Sequence, residues 1–330
     1  MFSTILMAQT TLKIATYNVE NLFDLKKSGH EYFEYRPYSK SGWNKRTYNI
    51  KLKNISRIIK DINADIIALE EIESLQALKD LRKRLQRDGL YYKYYKIANK
   101  KTTTVKVAVL SKYPFNSSEI GVTSTYSYRN ILECKFNINN EKFYLFINHW
   151  KSKAGAESKR VLSAKYLYTR LRKIGLDKNI IIVGDFNSDY EEYKKFKRKR
   201  RLNDTNGITG INHKLHTILL TNRAKNYINI QNDNYNLYNL WYDTAKKNRF
   251  SYIYRKKKEA LDNIIISQPL LNKKHKMHYK YSSIHSFKKS YFFFHNNYIY
   301  RWQMTHKRPR IHKAKGFSDH LAVIAEFVIK

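Results

Sequence analysis

Residues 179–187 read NIIIVGDFN, an unbroken apolar run that ends on glycine and then sets Asp185 and Asn187 two positions apart. A short run of Ile and Val that stops at turn residues suits a strand buried on both faces. The same pairing of an apolar run with polar groups at its end recurs along the chain. Asn18 follows TLKIATY (Thr11–Tyr17), and Glu70 and Glu71 follow DIIAL (Asp65–Leu69). Asp262 precedes NIIIS (Asn263–Ser267), and Asp319 and His320 precede LAVIAEF (Leu321–Phe327). The ends of packed strands gather on one rim, so groups far apart in sequence can meet there. Carboxylates that meet in a cleft raise one another's pKa unless a cation sits among them. Oxygen donors suit Mg2+, Mn2+ or Ca2+ better than Zn2+. Such a site fits phosphoester hydrolysis, with a divalent ion on the phosphoryl oxygens, a carboxylate on the attacking water and a histidine on the phosphate.

Leu52, Ile55, Ile58, Ile59 and Ile62 recur at helical spacing and predict a helix over roughly 46–62. Further helices are expected near 74–87 and 157–174. Strands are expected near 91–98, 105–111, 119–125, 130–137, 142–148, 250–255, 261–266 and 320–329. Helices mixed with many antiparallel-capable strands favour an α+β or α/β sandwich over a strictly alternating parallel sheet. No linker divides the chain, so residues 11–330 read as one domain, preceded by a ragged start or signal remnant at 1–10.

The 330 residues carry 64 Lys plus Arg against 27 Asp plus Glu, a formal net charge of +37. Such a field attracts polyanions, nucleic acid first and an anionic membrane surface second. Compositional bias toward Lys, Asn, Ile and Tyr also produces a lysine excess, so charge alone does not name a substrate. A single cysteine, Cys134, excludes an internal disulfide and any multi-cysteine metal site, and its apolar surroundings read as core. No run of 18 apolar residues exists to span a membrane. The start, MFSTILMAQ, lacks a basic n-region, and the reading leans toward export, periplasmic or secreted, over the cytoplasm. A monomer is expected. Two stretches stand apart: Lys194–Arg201, with seven basic residues in eight, and Leu270–Lys315, rich in His, Lys, Tyr and Phe. His275, His278, His285 and His295 lack metal-ligand spacing and read as surface groups.

Six segments together resemble the endonuclease/exonuclease/phosphatase, or DNase I-like, family. They are KIATYNVENLFD (Lys13–Asp24), DIIALEEIES (Asp65–Ser74), NHWKSK (Asn148–Lys153), GDFNSDY (Gly184–Tyr190), LDNIIIS (Leu261–Ser267) and GFSDHLAVIAEF (Gly316–Phe327). Taken singly, each has a structural reading: Asn18 as a turn cap, Glu71 as a first-turn carboxylate, His149 as a packed core group. Six in family order favour the functional one. The resemblance implies a four-layer αββα sandwich and a Mg2+- or Mn2+-dependent phosphodiesterase, Ca2+ also being accommodated. It implies Asn18, Glu71 and Asp319 around the ion, and Asp185 and Asn187 on the water. His320 would contact the phosphate, Asp262 would orient His320, and His149 would act as general acid. Arg129 resembles a substrate-contacting position. Arg160 and Lys151 are further phosphate candidates, although a basic helix face in this chain is expected anyway.

A nuclease acting on DNA, or on RNA, is the favoured reading. The alternatives are a phosphatase or phospholipid-cleaving relative acting on inositol phosphates or sphingomyelin, and an inactive basic nucleic-acid-binding protein. A lipid-acting relative is expected to expose an apolar hairpin, for which Tyr291–Phe294 (YFFF) is the local candidate.

Overall fold

The computed structural model describes residues 9–100, 102–123, 128–196, 200–218, 237–294 and 298–330. The chain opens with β1 (Thr10–Leu22), α1 (Lys45–Ile62), β2 (Ile66–Ile72), α2 (Leu75–Arg87), β3 (Tyr94–Ile97) and β4 (Lys106–Ser111). Next come β5 (Phe115–Ile120), β6 (Ile131–Ile138), β7 (Glu141–His149), α3 (Ser158–Ile174), β8 (Ile180–Asp185), α4 (Glu192–Phe196) and β9 (Tyr238–Asn239). A small hairpin, β10 (Tyr252–Tyr254) with β11 (Lys257–Glu259), leads into β12 (Asp262–Ile266). The chain closes with β13 (Met277–Tyr279), β14 (His285–Ser286), a second hairpin of β15 (Phe293–Phe294) and β16 (Tyr298–Ile299), and β17 (Val323–Ile329).

Two sheets result. One runs β13-β17-β1-β2-β4-β3, with β14 also on β17, and the other runs β5-β6-β7-β8-β12-β9. Strand alternation sorts the side chains into layers. From β1, Leu12 and Ile14 join Ala68, Val109, Cys134, Leu145, Ile181 and Ile264 in the core between the sheets. Ala15 and Tyr17 point the other way and pack with Ile67, Leu69, Ile55, Ile59 and Leu81 beneath α1 and α2. On the far side, Phe146, Ile182 and Ile265 pack against Leu167 and Leu171 of α3. Each fully buried aliphatic or aromatic side chain contributes roughly 1.5–3 kcal/mol, so three such layers favour the αββα order. The expected four-layer sandwich is the observed fold, and Cys134 is the core thiol expected of it.

The helices start where the sequence supplies caps. Asn44 accepts from Arg46 N and Thr47 N at the head of α1, and Ser74 accepts from Ala77 N at the head of α2. Several strands depart from expectation. The strand expected near 119–125 is β5 at Phe115–Ile120, a polar edge strand paired only with β6. An edge strand with one open side needs no apolar alternation, which hides it from a hydrophobic pattern. The expected strand near 250–255 is half of a hairpin outside both sheets. The segment 270–315 adds β13 and β14 to the edge of the first sheet through β17. Among its histidines, His278 is buried rather than on the surface, with Nδ1 3.1 Å from the His275 carbonyl. His295 lies outside the described residues, as does most of the stretch 1–10.

Candidate active site

The parity that fills the core also builds the site. Continuing along β1, Thr16 and Asn18 share the inter-sheet face of Leu12 and Ile14. On β8, Asp185 follows Ile181 and Val183; on β7, His149 follows Leu145 and Ile147; on β12, Asp262 precedes Ile264 and Ile266. Registers then align the ends. His149 lies opposite Asp185 in the parallel β7–β8 pair, and Asp262 lies opposite Asp185 in the antiparallel β8–β12 pair. Gly184 permits this approach: at φ +134°, a Cβ there would lie 2.0 Å from the Asn148 carbonyl oxygen.

The two acidic residues after DIIAL separate by backbone conformation. Glu70 keeps strand alternation, is fully buried and accepts from Thr16 Oγ1 at 2.7 Å. Glu71 would then face the helices, but its φ is +67° and the β2 register slips there against both β1 and β4. The bulge turns Glu71 to the rim, where its Oε1 accepts from Asn18 Nδ2 at 3.2 Å. Glu20, Asn21 and Asn187 also have φ of 52°, 64° and 48°. Left-handed non-glycine residues cost roughly 1–3 kcal/mol each and collect at functional sites.

Asp185 is the hub. Its Oδ1 accepts from Asn187 N at 2.8 Å, and its Oδ2 accepts from Asn187 Nδ2 and Asn18 Nδ2, each at 3.1 Å. His149 Nε2 stands 3.6 Å from Asp185 Oδ2 and 3.7 Å from Glu71 Oε1. His320 Nδ1 is 2.7 Å from Asp262 Oδ2, and its Nε2 is 4.0 Å from Asp185 Oδ2 and from Asp319 Oδ1. Ser318 fixes the turn that carries them, donating from Oγ to the Asn18 carbonyl at 2.6 Å and accepting from His320 N at 3.1 Å.

The electrostatics divide the histidines. Burial opposes a charge on His320, but Asp262, Asp185 and Asp319 outweigh it and raise the imidazole well above its ordinary value. His149 is driven well below its ordinary value by burial, then by Arg129, His320 and Lys151. Those shifts favour its neutral form; its Nδ1 is buried and unpartnered, and its Nε2 faces the two carboxylates. Asp185 is pushed up to about 7, chiefly by burial, with His320 opposing and Asp262 and Glu71 adding. Burial and then Asp319 raise Glu71.

Converging oxygen ligands that raise one another's pKa are the donor set a hard divalent cation requires. Glu71 and Asp185 fit that role, with Asp319 near enough to act on Glu71; Asn18 turns its Nδ2 to both carboxylates and its Oδ1 to Glu20 N, so its amide would have to turn over to offer an oxygen. Asp185, Asp262 and His320 also offer atoms within 4.8 Å of one another. That group is compatible with an ion only when His320 is unprotonated. The Asp185–Asp262–His320 group and the Glu71 side of Asp185 are therefore both candidate cation positions.

The basic candidates separate. Arg129 donates to Val105 O at 3.2 Å and Trp150 O at 3.4 Å and reaches the Tyr32 hydroxyl. Lys151 is partly buried beside it and held below its ordinary value by that burial and by Arg129. Among the described residues neither pairs with a carboxylate, so both are open to an anion. Arg160 is not. It is 1% exposed, pairs with Glu157 at 2.7 Å and donates Nη1 to the Lys151, Ser152 and Gly155 carbonyls. Arg160 therefore shapes the loop that carries Lys151, and the expectation that it reaches phosphate is corrected. In the basic run, Lys194 and Lys195 pair with Glu191 and Asp189, and residues 197–199 lie outside the described residues.

Motif reading missed three groups. Arg301, from the added segment, holds Glu20 and lies 3.1 Å from Asp319 Oδ2. Glu20 also accepts from Trp302 N at 3.0 Å, tying that segment to β1. Tyr252 packs its ring 4.8 Å from that of His320. Glu20 lies inside YNVEN, so an acid beside the metal candidate was the available signal; Arg301 and Tyr252 had none.

The chain belongs to the Endonuclease/Exonuclease/phosphatase family, whose sequence model matches residues 13–206. No curated protein sequence matches it. Solved structures share the fold across nearly its full length. Humanized D. rerio TDP2 aligns with a TM-score of 0.57 at 12% identity, covering 96% of this chain and 98% of that one. A family protein from Bacteroides thetaiotaomicron gives 0.55 at 14% identity, with 98% and 100% covered. The mannosyl-6-phosphatase of that organism gives 0.53 at 14%, with 96% and 99% covered.

Proposed function

We propose that the chain is a divalent-metal-dependent phosphoesterase that hydrolyses phosphodiester bonds in nucleic acid, DNA before RNA. The observation that carries this reading is the meeting of Asn18, Glu71, His149, Asp185, Asn187, Asp262 and His320 at one rim, with the open cations Arg129 and Lys151 alongside. Glu71 and Asn18, with Asp319 beside them, would hold Mg2+ or Mn2+. When bound, the ion supplies positive charge to the phosphoryl and leaving oxygens.

The remaining steps fall to side chains. Asp185, fixed by three N–H donors, accepts a proton from the attacking water, and Asn187 orients that water. Protonated His320, held by Asp262, donates from Nε2 to a phosphoryl oxygen as charge develops there. His149, whose pKa burial lowers, would donate a hydrogen bond to a phosphoryl oxygen, with solvent protonating the leaving oxygen; the general-acid part expected from sequence is the alternative that kinetics would separate. Arg129 and Lys151 receive the other phosphate oxygens. The net charge of +37 favours a polyanionic substrate over a neutral or zwitterionic one. Complexes of a D. rerio TDP2 with a single-strand DNA product give precedent for nucleic acid on this fold.

The test offers the purified protein plasmid DNA, RNA, a phosphomonoester and sphingomyelin, each with Mg2+ or EDTA. Plasmid cleavage with Mg2+ and none with EDTA is expected. Turnover of the monoester or lipid alone would refute the nucleic-acid assignment, and turnover of nothing would refute the enzymatic one.

A further inference from the structure

Residues 300–317 fold back on themselves as a ribbon. Phe317 N donates to Tyr300 O at 2.8 Å, Gln303 N to Lys315 O at 2.8 Å and Lys313 N to Gln303 O at 3.0 Å, so 300–305 runs antiparallel to 311–317. The second arm leads directly into Ser318, Asp319 and His320. Gly316, at φ +89°, permits the pairing, since a Cβ there would lie 1.9 Å from the Arg301 carbonyl oxygen. The ribbon lies beyond residues 13–206, the stretch matched by the family model.

Anchors away from the catalytic groups hold this ribbon. Asn54 and Lys51 of α1 donate to Gly316 O at 2.8 Å and to Phe317 O at 3.0 Å. Trp302 Nε1 donates to His312 Nδ1 at 2.8 Å, and His312 Nε2 stands 2.8 Å from Glu34 O. The ribbon thus delivers Arg301 to the rim, where its guanidinium meets two carboxylates. Nε lies 2.9 Å from Glu20 Oε1, which Nη2 also reaches, and Nη2 lies 3.1 Å from Asp319 Oδ2. Glu20 is buried, its Oε2 accepts from Trp302 N at 3.0 Å, and its own N donates to Asn18 Oδ1 at 3.0 Å. The other oxygen of Asp319, Oδ1, lies 4.0 Å from His320 Nε2.

We infer that Arg301 is a positioning residue for the cation site: anchored on Glu20, it holds Asp319 Oδ2 and so leaves Oδ1 facing the catalytic groups. This rests on the metal-dependent reading above and adds to it a residue that acts through Asp319. A planar guanidinium grips two acceptors in one fixed geometry, which the point charge of a lysine does not. A partner of this kind orients the ligand it holds, and its loss costs about 10–100-fold in metal affinity or activity. A tie that merely fastens the ribbon is the weaker account, because α1 and Glu34 already fasten it. Glu20 and Arg301 also form one brace between Asn18 at the end of β1 and Asp319 ahead of β17.

The test measures Mn2+ binding by the substrate-free protein, read from the EPR signal of the free ion, with thermal unfolding in EDTA as the check on folding. Arg301→Gln should weaken Mn2+ binding at least about tenfold. Deleting a positive charge beside a cation site would on charge alone tighten it, so weakening separates orientation from charge. Arg301→Lys keeps the charge without the fork and should weaken binding at least as far. Both changes leave the buried Glu20 carboxylate short of a partner, so a second pair avoids that charge. Glu20→Gln/Arg301→Gln should bind Mn2+ at least about tenfold more weakly than Glu20→Gln. Unchanged or tighter binding on losing Arg301 from the Glu20→Gln protein, or wild-type binding by Arg301→Lys, would overturn the role. A wild type that binds Mn2+ but turns over no diester would refute the phosphodiesterase reading and leave Arg301 at its cation site. A wild type that binds no Mn2+ would refute that site and the role of Arg301 with it.

Discussion

Glu71 meets Asn18 across 3.2 Å only because the Glu71 backbone leaves the strand conformation at φ +67°. In plain alternation its carboxylate would lie under the helices. The protein thus holds a left-handed residue at the position proposed for a cation ligand. Glu71→Gly should relieve that strain and raise stability by about 1 kcal/mol in EDTA, while abolishing turnover. Denaturant unfolding measures it, and a less stable variant would remove strain from the account.

Asp185 titrates in the folded protein near 7, raised from 3.8 chiefly by burial. A carboxyl whose folded value lies above its unfolded one favours the native state below the unfolded value, and that contribution is lost as pH rises through the folded value. Metal-free wild type should therefore lose stability relative to Asp185→Asn between pH 3.8 and about 7. Saturating Mg2+ should offset the loss. Parallel stability curves for the two proteins in EDTA would contradict the burial of a charge there.

Burial and the neighbouring cations lower the pKa of His149, so in the proposed function it stabilises phosphoryl charge rather than protonating the leaving group. His149→Ala should lower the rate on an ordinary nucleotide diester and on an activated nitrophenyl diester by a similar factor, about 100 to 1,000. A loss concentrated on the poorer leaving group would restore the general-acid role.

Arg160→Ala should act on the fold. It leaves the Glu157 carboxylate buried without its partner, a change that costs about 3–5 kcal/mol. Arg129→Ala should leave unfolding nearly unchanged and raise KM instead. Thermal melts beside steady-state kinetics separate the two, and the reverse pattern would exchange their roles.

Much of this site was legible because strand periodicity and chemistry coincide. Asn18, Asp185 and Asp262 sit where an apolar run meets the sheet end, and parity alone gives them a common face. Parity could not choose between Glu70 and Glu71, because a bulge reverses it. Arg129 and Arg160 look alike in sequence and differ only in burial, which three loop carbonyls decide. Arg301 reaches Glu20 from 281 residues away, out of a segment whose strands are too short to show a pattern.

The most direct measurement is the initial rate of bis(4-nitrophenyl) phosphate hydrolysis by wild type and Glu71→Gln as Mg2+ is titrated into EDTA-treated protein. Wild type should be inactive in EDTA and recover with Mg2+. Glu71→Gln, folded to the same extent, should require more Mg2+ and reach a rate lower by roughly a hundredfold, about 3 kcal/mol of transition-state stabilisation. Wild-type turnover by Glu71→Gln at limiting Mg2+, or full activity in EDTA, would contradict a metal-dependent phosphoesterase built at this rim.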